Sequence, residues 1–281
     1  MSKFTFITIL LTYTLIVFGG YVASSESGMG CGPDWPLCNG AVIPQLEGAT
    51  LIEFGHRVIG AALFVLVLIL FAKIRRRDRS NLETKVACWM IGLLTMQLIM
   101  GAIVVFYHLP SLIITVHLLI AMVFMALLIW FWRQDRPDDY QKSGTEPRLK
   151  NHFNQVIGLV FITIGLGAYI KHQHYGSACG WLSCGEDSFL PVTIPEILQT
   201  SHRFLAFVVT LYILFLTYKV FKENIKPITY RMLIASTLII IQIGAGIITI
   251  LTFIPITMAV LHLAIGTLLF GVLVETKFKL N

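Results

Sequence analysis

The sequence predicts an all-α integral membrane protein, with eight transmembrane helices forming two tandem pseudo-symmetric four-helix bundles. Three observations lead there. Hydrophobic residues fill 56% of the 281 positions and charged residues only 13%, about half the charged share of a soluble domain. Eight apolar runs punctuate the chain, each near the ~20 residues that carry a helix across the hydrocarbon core. The last four runs repeat the first four in order and in their polar landmarks.

The runs fall at 5–23, 52–72, 86–106 and 112–132, then at 155–170, 203–221, 232–252 and 256–274. The fifth is the shortest, so its helix is expected to extend into flanking polar residues. Residues 1–134 are read as the N-terminal bundle, 135–151 as a cytoplasmic linker and 152–281 as the C-terminal bundle. The linker is charged and contains proline, the composition of a domain boundary. Lys3 and the apolar stretch ending in Tyr21-Val22-Ala23-Ser24 loosely fit a cleaved signal peptide. The repeat gives this stretch an internal counterpart that is not cleaved, so it is read as the first span.

A net charge of +6 invites a nucleic-acid reading, but the distribution explains it otherwise. Lys3, the basic groups at 73–85, 133–150 and 219–231, and Lys277 with Lys279 lie on one side of an eight-span topology, 18 of 21 basic residues in all. The positive-inside rule then puts both termini in the cytoplasm and the cysteine-bearing loops outside the cell membrane. No nucleic-acid partner is needed.

The repeat is specific. GHRVIGA (55–61) matches SHRFLAF (201–207), TMQLIMGAIVV (95–105) matches IIQIGAGIITI (240–250), and LPSLIITVHLLIA (109–121) matches IPITMAVLHLAIG (254–266). Each half holds an even number of spans, so both enter the membrane in the same direction, a parallel repeat. Four of the eight histidines recur in register: His56 and His117, then His202 and His262. His108, His152, His172 and His174 fall in loops or at interfaces and read as solvated. A span starting at Ile52 puts His56 about one turn, ~6 Å, into its helix. Each bundle thus offers two imidazoles at similar depth on different helices. Two facing neutral imidazoles suit the axial positions of haem iron, and helix bundles hold such cofactors between facing helices. Zinc would demand further ligands, and none recurs in both halves. Arg57 and Arg203, each following a histidine, suit haem propionates or snorkel to headgroups. Gly101 and Gly246 permit close approach of a flat macrocycle, or of another helix.

Five cysteines leave one over, Cys88, which is expected in the core of the third helix. Cys31 with Cys38 and Cys179 with Cys184 lie seven and five residues apart in the outer loops, in a compartment that permits disulfides. They are read either as structural staples or as redox-active pairs. GCGPDWPLCNG with Trp35 and SACGWLSCGED with Trp181 also suit lids over the histidine sites. The halves differ at one telling position: E-F-G-H-R at 53–57 becomes Q-T-S-H-R at 199–203. Glu53 stands one turn from His56 on the same helical face. A carboxylate there can take a proton or stabilise developing positive charge; the amide of Gln199 cannot do acid–base work. The simpler role for Glu53 is an i,i+4 ion pair with Arg57.

Together, the two four-span repeats, E-x-x-H-R at 53–57, His117, His202-Arg203, His262 and the paired cysteines of the first outer loop strongly resemble the haem A synthase family over nearly the whole chain. The resemblance implies an oxidoreductase that converts the C8 methyl of haem O to a formyl group by successive hydroxylations, giving haem A. It implies that His56 and His117 bracket the substrate haem, with Arg57 beside them. His202 and His262 would ligate haem b with Arg203 nearby, and Glu53 would be the catalytic acidic residue. It associates Cys31–Cys38 with a disulfide, and Cys179–Cys184 is expected to pair likewise. Haem O synthase and the terminal oxidase are the implied partners; the electron acceptor is unidentified. The residues alone leave two rivals, a dihaem b-type electron-transfer protein and a membrane thiol oxidoreductase.

Overall fold

The computed structural model describes residues 2–76, 80–135, 146–180, 184 and 190–280. Most of the linker, Arg77, Arg79, Arg136, Lys142 and Trp181 with most of the second cysteine loop lie outside these residues. Among the described residues there are eight helices long and apolar enough to cross a membrane. They are α1 (Ser2–Ser24), α2 (Gly48–Arg75), α3 (Asn81–Phe106), α4 (Ser111–Gln134), α5 (Glu146–His172), α6 (Ile194–Lys222), α7 (Lys226–Leu251) and α8 (Ile256–Lys279). As its short apolar run implies, α5 extends into polar sequence at both ends. His152 therefore sits within α5 rather than in a loop, where its Nδ1 lies 2.8 Å from the Tyr212 hydroxyl.

Local chemistry sets several boundaries. Ser80 and Glu83 cap α3 reciprocally: the Ser80 hydroxyl oxygen accepts from the Glu83 N–H, and Glu83 accepts from the Ser80 N–H at 3.1 Å, satisfying donors that the first turn leaves open. Glu196 does the same for α6, accepting from the N–H groups of Val192 and Thr193 at 2.8 and 3.0 Å. Between α3 and α4 the chain reverses through His108 and Leu109, at φ 56° and 62°; between α7 and α8 it does so through Phe253 and Ile254, at 59° and 58°. Both turns run into a proline, Pro110 and Pro255, which pre-sets the entry into the next helix.

The chain divides into two compact units, Met1–Asp135 and Arg136–Asn281. In the first, α2 packs on α1, α3 on α2 and α4 on α3, and α4 returns to α1. The second unit has the same connectivity, with α8 returning to α5. Closing each ring makes α2 and α4, and likewise α6 and α8, diagonal partners.

The tight core occupies one end of each ring. In the first unit it joins Leu63, Val67, Leu70 and Ile74 of α2 to Ala87, Met90 and Leu94 of α3 and Phe124, Leu128 and Phe131 of α4. In the second, Phe153 and Val156 of α5, Ile213, Leu216 and Val220 of α6, Ile228 and Met232 of α7, and Leu273 of α8 are fully buried. These residues come from the late halves of the even helices and the early halves of the odd ones. The opposite end, which carries the four recurrent histidines, is less densely filled. Cys88 departs from expectation: it is free and exposed, while its neighbours Ala87 and Met90 are buried. α3 is apolar on every face, as a lipid-bathed helix can be, so its composition does not reveal which side turns inward.

Candidate functional site

The helix starts set the depth of the histidines. α2 begins at Gly48, earlier than the apolar run suggests, so His56 lies eight residues into it, about 12 Å rather than one turn. His202 lies eight residues into α6. His117 and His262 each lie six residues into their helices, about 9 Å. Each pair occupies diagonal helices of its ring. The Nδ1 atoms of His56, His117 and His262 are buried without a hydrogen-bond partner. His202 Nδ1 lies 3.1 Å from the Thr163 carbonyl; donation there leaves Nε2 with a free lone pair, the state a metal-ligating histidine requires. Among the described residues, no three His, Cys, Asp or Glu side chains converge to hold a bare metal ion. A diagonal pair of imidazoles instead suits the two axial positions of an iron macrocycle.

Two glutamines mark a difference between the pairs. Gln97 of α3 donates to the backbone carbonyl of His117 at 2.7 Å. Its counterpart Gln242 of α7 instead lies with Nε2 3.1 Å from Nε2 of His262. An incoming axial metal would compete with Gln242 for that lone pair.

Glu53 is 4% exposed, and both of its oxygens are engaged. Oε2 accepts from the Cys31 N–H at 2.8 Å. Oε1 accepts from Arg57 Nη2 at 2.5 Å, closing the i,i+4 ion pair. Arg57 Nη1 donates onward to the Leu37 carbonyl at 3.0 Å. The loop that carries Cys31 and Cys38 lies close against the first turn of α2. A Cβ on Gly30 would come within 2.4 Å of the Ala49 carbonyl oxygen, so that approach needs glycine. The Thr50 hydroxyl donates to the Gly30 carbonyl at 2.7 Å. The loop is thus a docked cap on the start of α2, although Trp35 itself is exposed.

The second unit solves the same problem with neutral groups. Gln199, also 4% exposed, accepts from the Cys179 N–H at 2.6 Å and donates to the Gly176 carbonyl at 2.6 Å. Arg203 Nη2 donates to the Gly180 carbonyl at 2.9 Å. Position 53/199 therefore docks a loop in both units, and only Glu53 adds a carboxylate. Both arginines engage loop carbonyls rather than standing free for an incoming anion.

The profile of the COX15-CtaA family, described as cytochrome oxidase assembly protein, matches residues 2–274. The chain belongs to this family. Among curated relatives, the chain is 32% identical over 285 residues to the heme A synthase of Macrococcus caseolyticus (strain JCSC5402), covering 97% of this chain and 93% of that protein. It is 29% identical to the heme A synthase of Lysinibacillus sphaericus (strain C3-41), with 92% and 88% covered. It is 30% identical to that of an Exiguobacterium species (strain ATCC BAA-1283 / AT1b), with 95% and 89% covered.

This COX15-CtaA member carries two disulfides, Cys31–Cys38 and Cys179–Cys184. All four half-cystines are buried, at 0, 1, 2 and 5% exposure. A partner thiol cannot reach sulfurs so enclosed while the loops stay docked, which favours staples over exchange sites. Replacing Gln199 with Leu removes both loop hydrogen bonds at once. Each orphaned buried group costs about 1–3 kcal/mol, so the second disulfide should become far easier to reduce. Thiol labelling after mild reductant checks this; a labelling rate equal to that of the wild type would refute the docking role. Sequence reasoning missed Gly19 and Gly167, which lie beside His56 and His202. Their shared offset of 148, the same as that of Cys31 and Cys179, was the available signal.

Proposed function

We propose that this protein is a haem A synthase, an integral membrane oxidoreductase that converts the C8 methyl of haem O to a formyl group. The observation that carries the reading is Glu53: a buried carboxylate one turn from His56, placed where the second unit has Gln199. The names of the relatives agree with it. The first unit, residues 1–134, is the substrate half, with His56 and His117 on diagonal helices bracketing haem O. The second, residues 152–281, is the cofactor half, in which His202 and His262 would hold haem b once Gln242 gives up its contact with His262. Bound haem b supplies one-electron redox capacity.

Oxidation of the methyl group adds one water and removes two electrons and two protons at each step, first to the alcohol and then to the hydrated aldehyde, and the electrons would leave one at a time through haem b to an external electron acceptor. Among the described residues, Glu53 is the one buried carboxylate beside this site able to take such a proton or to stabilise positive charge as it develops. Arg57 orients the carboxylate through Oε1, and the Cys31 N–H orients it through Oε2. The docked outer loop then restricts water above the site. The one-sided distribution of basic residues supports a topology with both termini in the cytoplasm and the disulfide loops outside the cell membrane. A haem O synthase would supply the substrate and a terminal oxidase would receive the product.

Expressing the chain in a host that makes haem O but lacks its own haem A enzyme tests the assignment. Acid extraction followed by chromatographic separation of haems B, O and A should show haem A. A preparation that yields haem B alone would make the protein a dihaem electron carrier and overturn the proposal.

A further inference from the structure

All four recurrent histidines share a glycine neighbour; the repeat marks two of these glycines, Gly101 and Gly246, and leaves the other two unmarked. His56 lies against Gly19 of α1, His117 against Gly101 of α3, His202 against Gly167 of α5, and His262 against Gly246 of α7. The glycine is always on the preceding helix. In every case the atom nearest to where a Cβ would stand is Cε1, the ring carbon between the two nitrogens. The separations are 3.1 Å at Gly19, 3.9 Å at Gly101, 2.7 Å at Gly167 and 3.0 Å at Gly246. Carbon atoms pack at roughly 3.5–4.0 Å. A methyl group at Gly101 would fit, at Gly19 or Gly246 it would press on the ring, and at Gly167 it would overlap it.

The contact is part of a two-point seat. Thr163 stands one turn before Gly167 on α5, and its carbonyl faces His202 Nδ1; the bare α-carbon of Gly167 then supports the Cε1 edge. Gln242 stands one turn before Gly246 on α7 and reaches His262. In the first unit, Phe18 meets His56 edge-on, with ring centroids 5.8 Å apart, beside the contact with Gly19. A histidine side chain has two rotatable bonds. A backbone surface on one edge and a polar or aromatic neighbour on another leave the ring one orientation.

We propose that Gly167, Gly246 and Gly19 are positioning residues that fix the imidazole planes, and hence the aim of the iron-binding nitrogens. The steric demand is graded in that order, with Gly101 outside it. This rests on the reading of the four histidines as haem ligands. The bare α-carbon serves the ligand rather than the macrocycle. A Cβ at Gly167 tilts His202 away from the axis, as loss of an outer-shell partner misaims a metal-bound histidine. Such losses weaken metal binding roughly 10–100-fold.

Full-length wild-type, Gly167→Ala, Gly246→Ala, Gly101→Ala and His202→Ala proteins, purified in detergent, provide the test. The readouts are haem b content, the low-spin ferric signal in electron paramagnetic resonance, and the haem b midpoint potential. Circular dichroism and gel filtration report folding. Gly167→Ala should lose haem b affinity by roughly 10–100-fold or convert the low-spin signal to high-spin. Gly246→Ala should keep haem but shift the low-spin signal and the potential, and Gly101→Ala should match the wild type. A folded Gly167→Ala protein with a wild-type signal overturns the proposal, as does an equal change in Gly101→Ala. If Gly167→Ala fails to fold, Gly246→Ala decides, and an unshifted signal there overturns it. His202→Ala separates the two readings: retention of the low-spin signal in that variant removes the ligand assignment itself, whereas its loss alongside an unaffected Gly167→Ala protein removes only the glycine proposal.

Discussion

Replacing Glu53 with Gln is expected to leave the protein folded, its first cysteine loop docked and its haems bound, while haem A formation stops. The second unit supplies the reason. Gln199 sits at the matching position, accepts the Cys179 N–H and donates to the Gly176 carbonyl, and Arg203 stays beside it without a carboxylate. An amide at position 53 can accept the Cys31 N–H in the same way and donate toward the backbone of the preceding loop. The proton-accepting function alone is lost, and such a group is worth roughly 10²–10⁴-fold in rate. Glu53→Ala is the poorer experiment. It orphans the buried Cys31 N–H at a cost of about 1–3 kcal/mol and deprives Arg57 of its ion pair, so a dead enzyme would be uninformative. Haem chromatography reads the chemistry, and the reducibility of Cys31–Cys38 reads the docking. Wild-type haem A from Glu53→Gln would end the catalytic assignment of this carboxylate.

Histidine replacements are expected to divide by unit. Changing His202 or His262 to Ala should strip haem b from the purified protein, by more than the 10–100-fold that an outer-shell change costs. Changing His56 or His117 should leave the haem b signal in place and abolish haem A. The diagonal arrangement is the reason. Each pair spans its own ring, α2 to α4 or α6 to α8, so neither can be replaced by an imidazole on an adjacent helix of the same bundle. Optical spectra of the reduced protein and extraction of total haem measure both outcomes together. Loss of haem b from the His56 variant would place haem b in the wrong unit and reverse the assignment of the two halves.

Much of the site was legible in the chain itself because duplication made it so. A lone intramembrane histidine is ambiguous, but His56 recurring as His202 and His117 as His262 is hard to attribute to chance. The contrast of Glu53 with Gln199 isolated one carboxylate for attention. The roles of Arg57 and Arg203 were less legible. Long, flexible side chains reach loop carbonyls as readily as anions, and nothing in local spacing separates the two. Cys88 was misplaced for a related reason: hydrophobic periodicity loses its meaning when lipid lies on one side of a helix and protein on the other.

By itself, the sequence determined the number of spans, their near-equal lengths, the repeat, the cysteine pairs and the polar residues available to a site. These follow from the thickness of the hydrocarbon core and from the cost of placing charge in it. Only the tertiary structure decided that each unit closes as a ring, placing the paired histidines on diagonal helices. It alone showed that α2 starts at Gly48 and carries His56 deeper, and that Glu53 is oriented by a loop amide and an arginine. It also set each histidine against a bare glycine of the preceding helix. These contacts join residues far apart in the chain, and they depend on how one helix rotates against the next, a quantity that an evenly apolar surface leaves open.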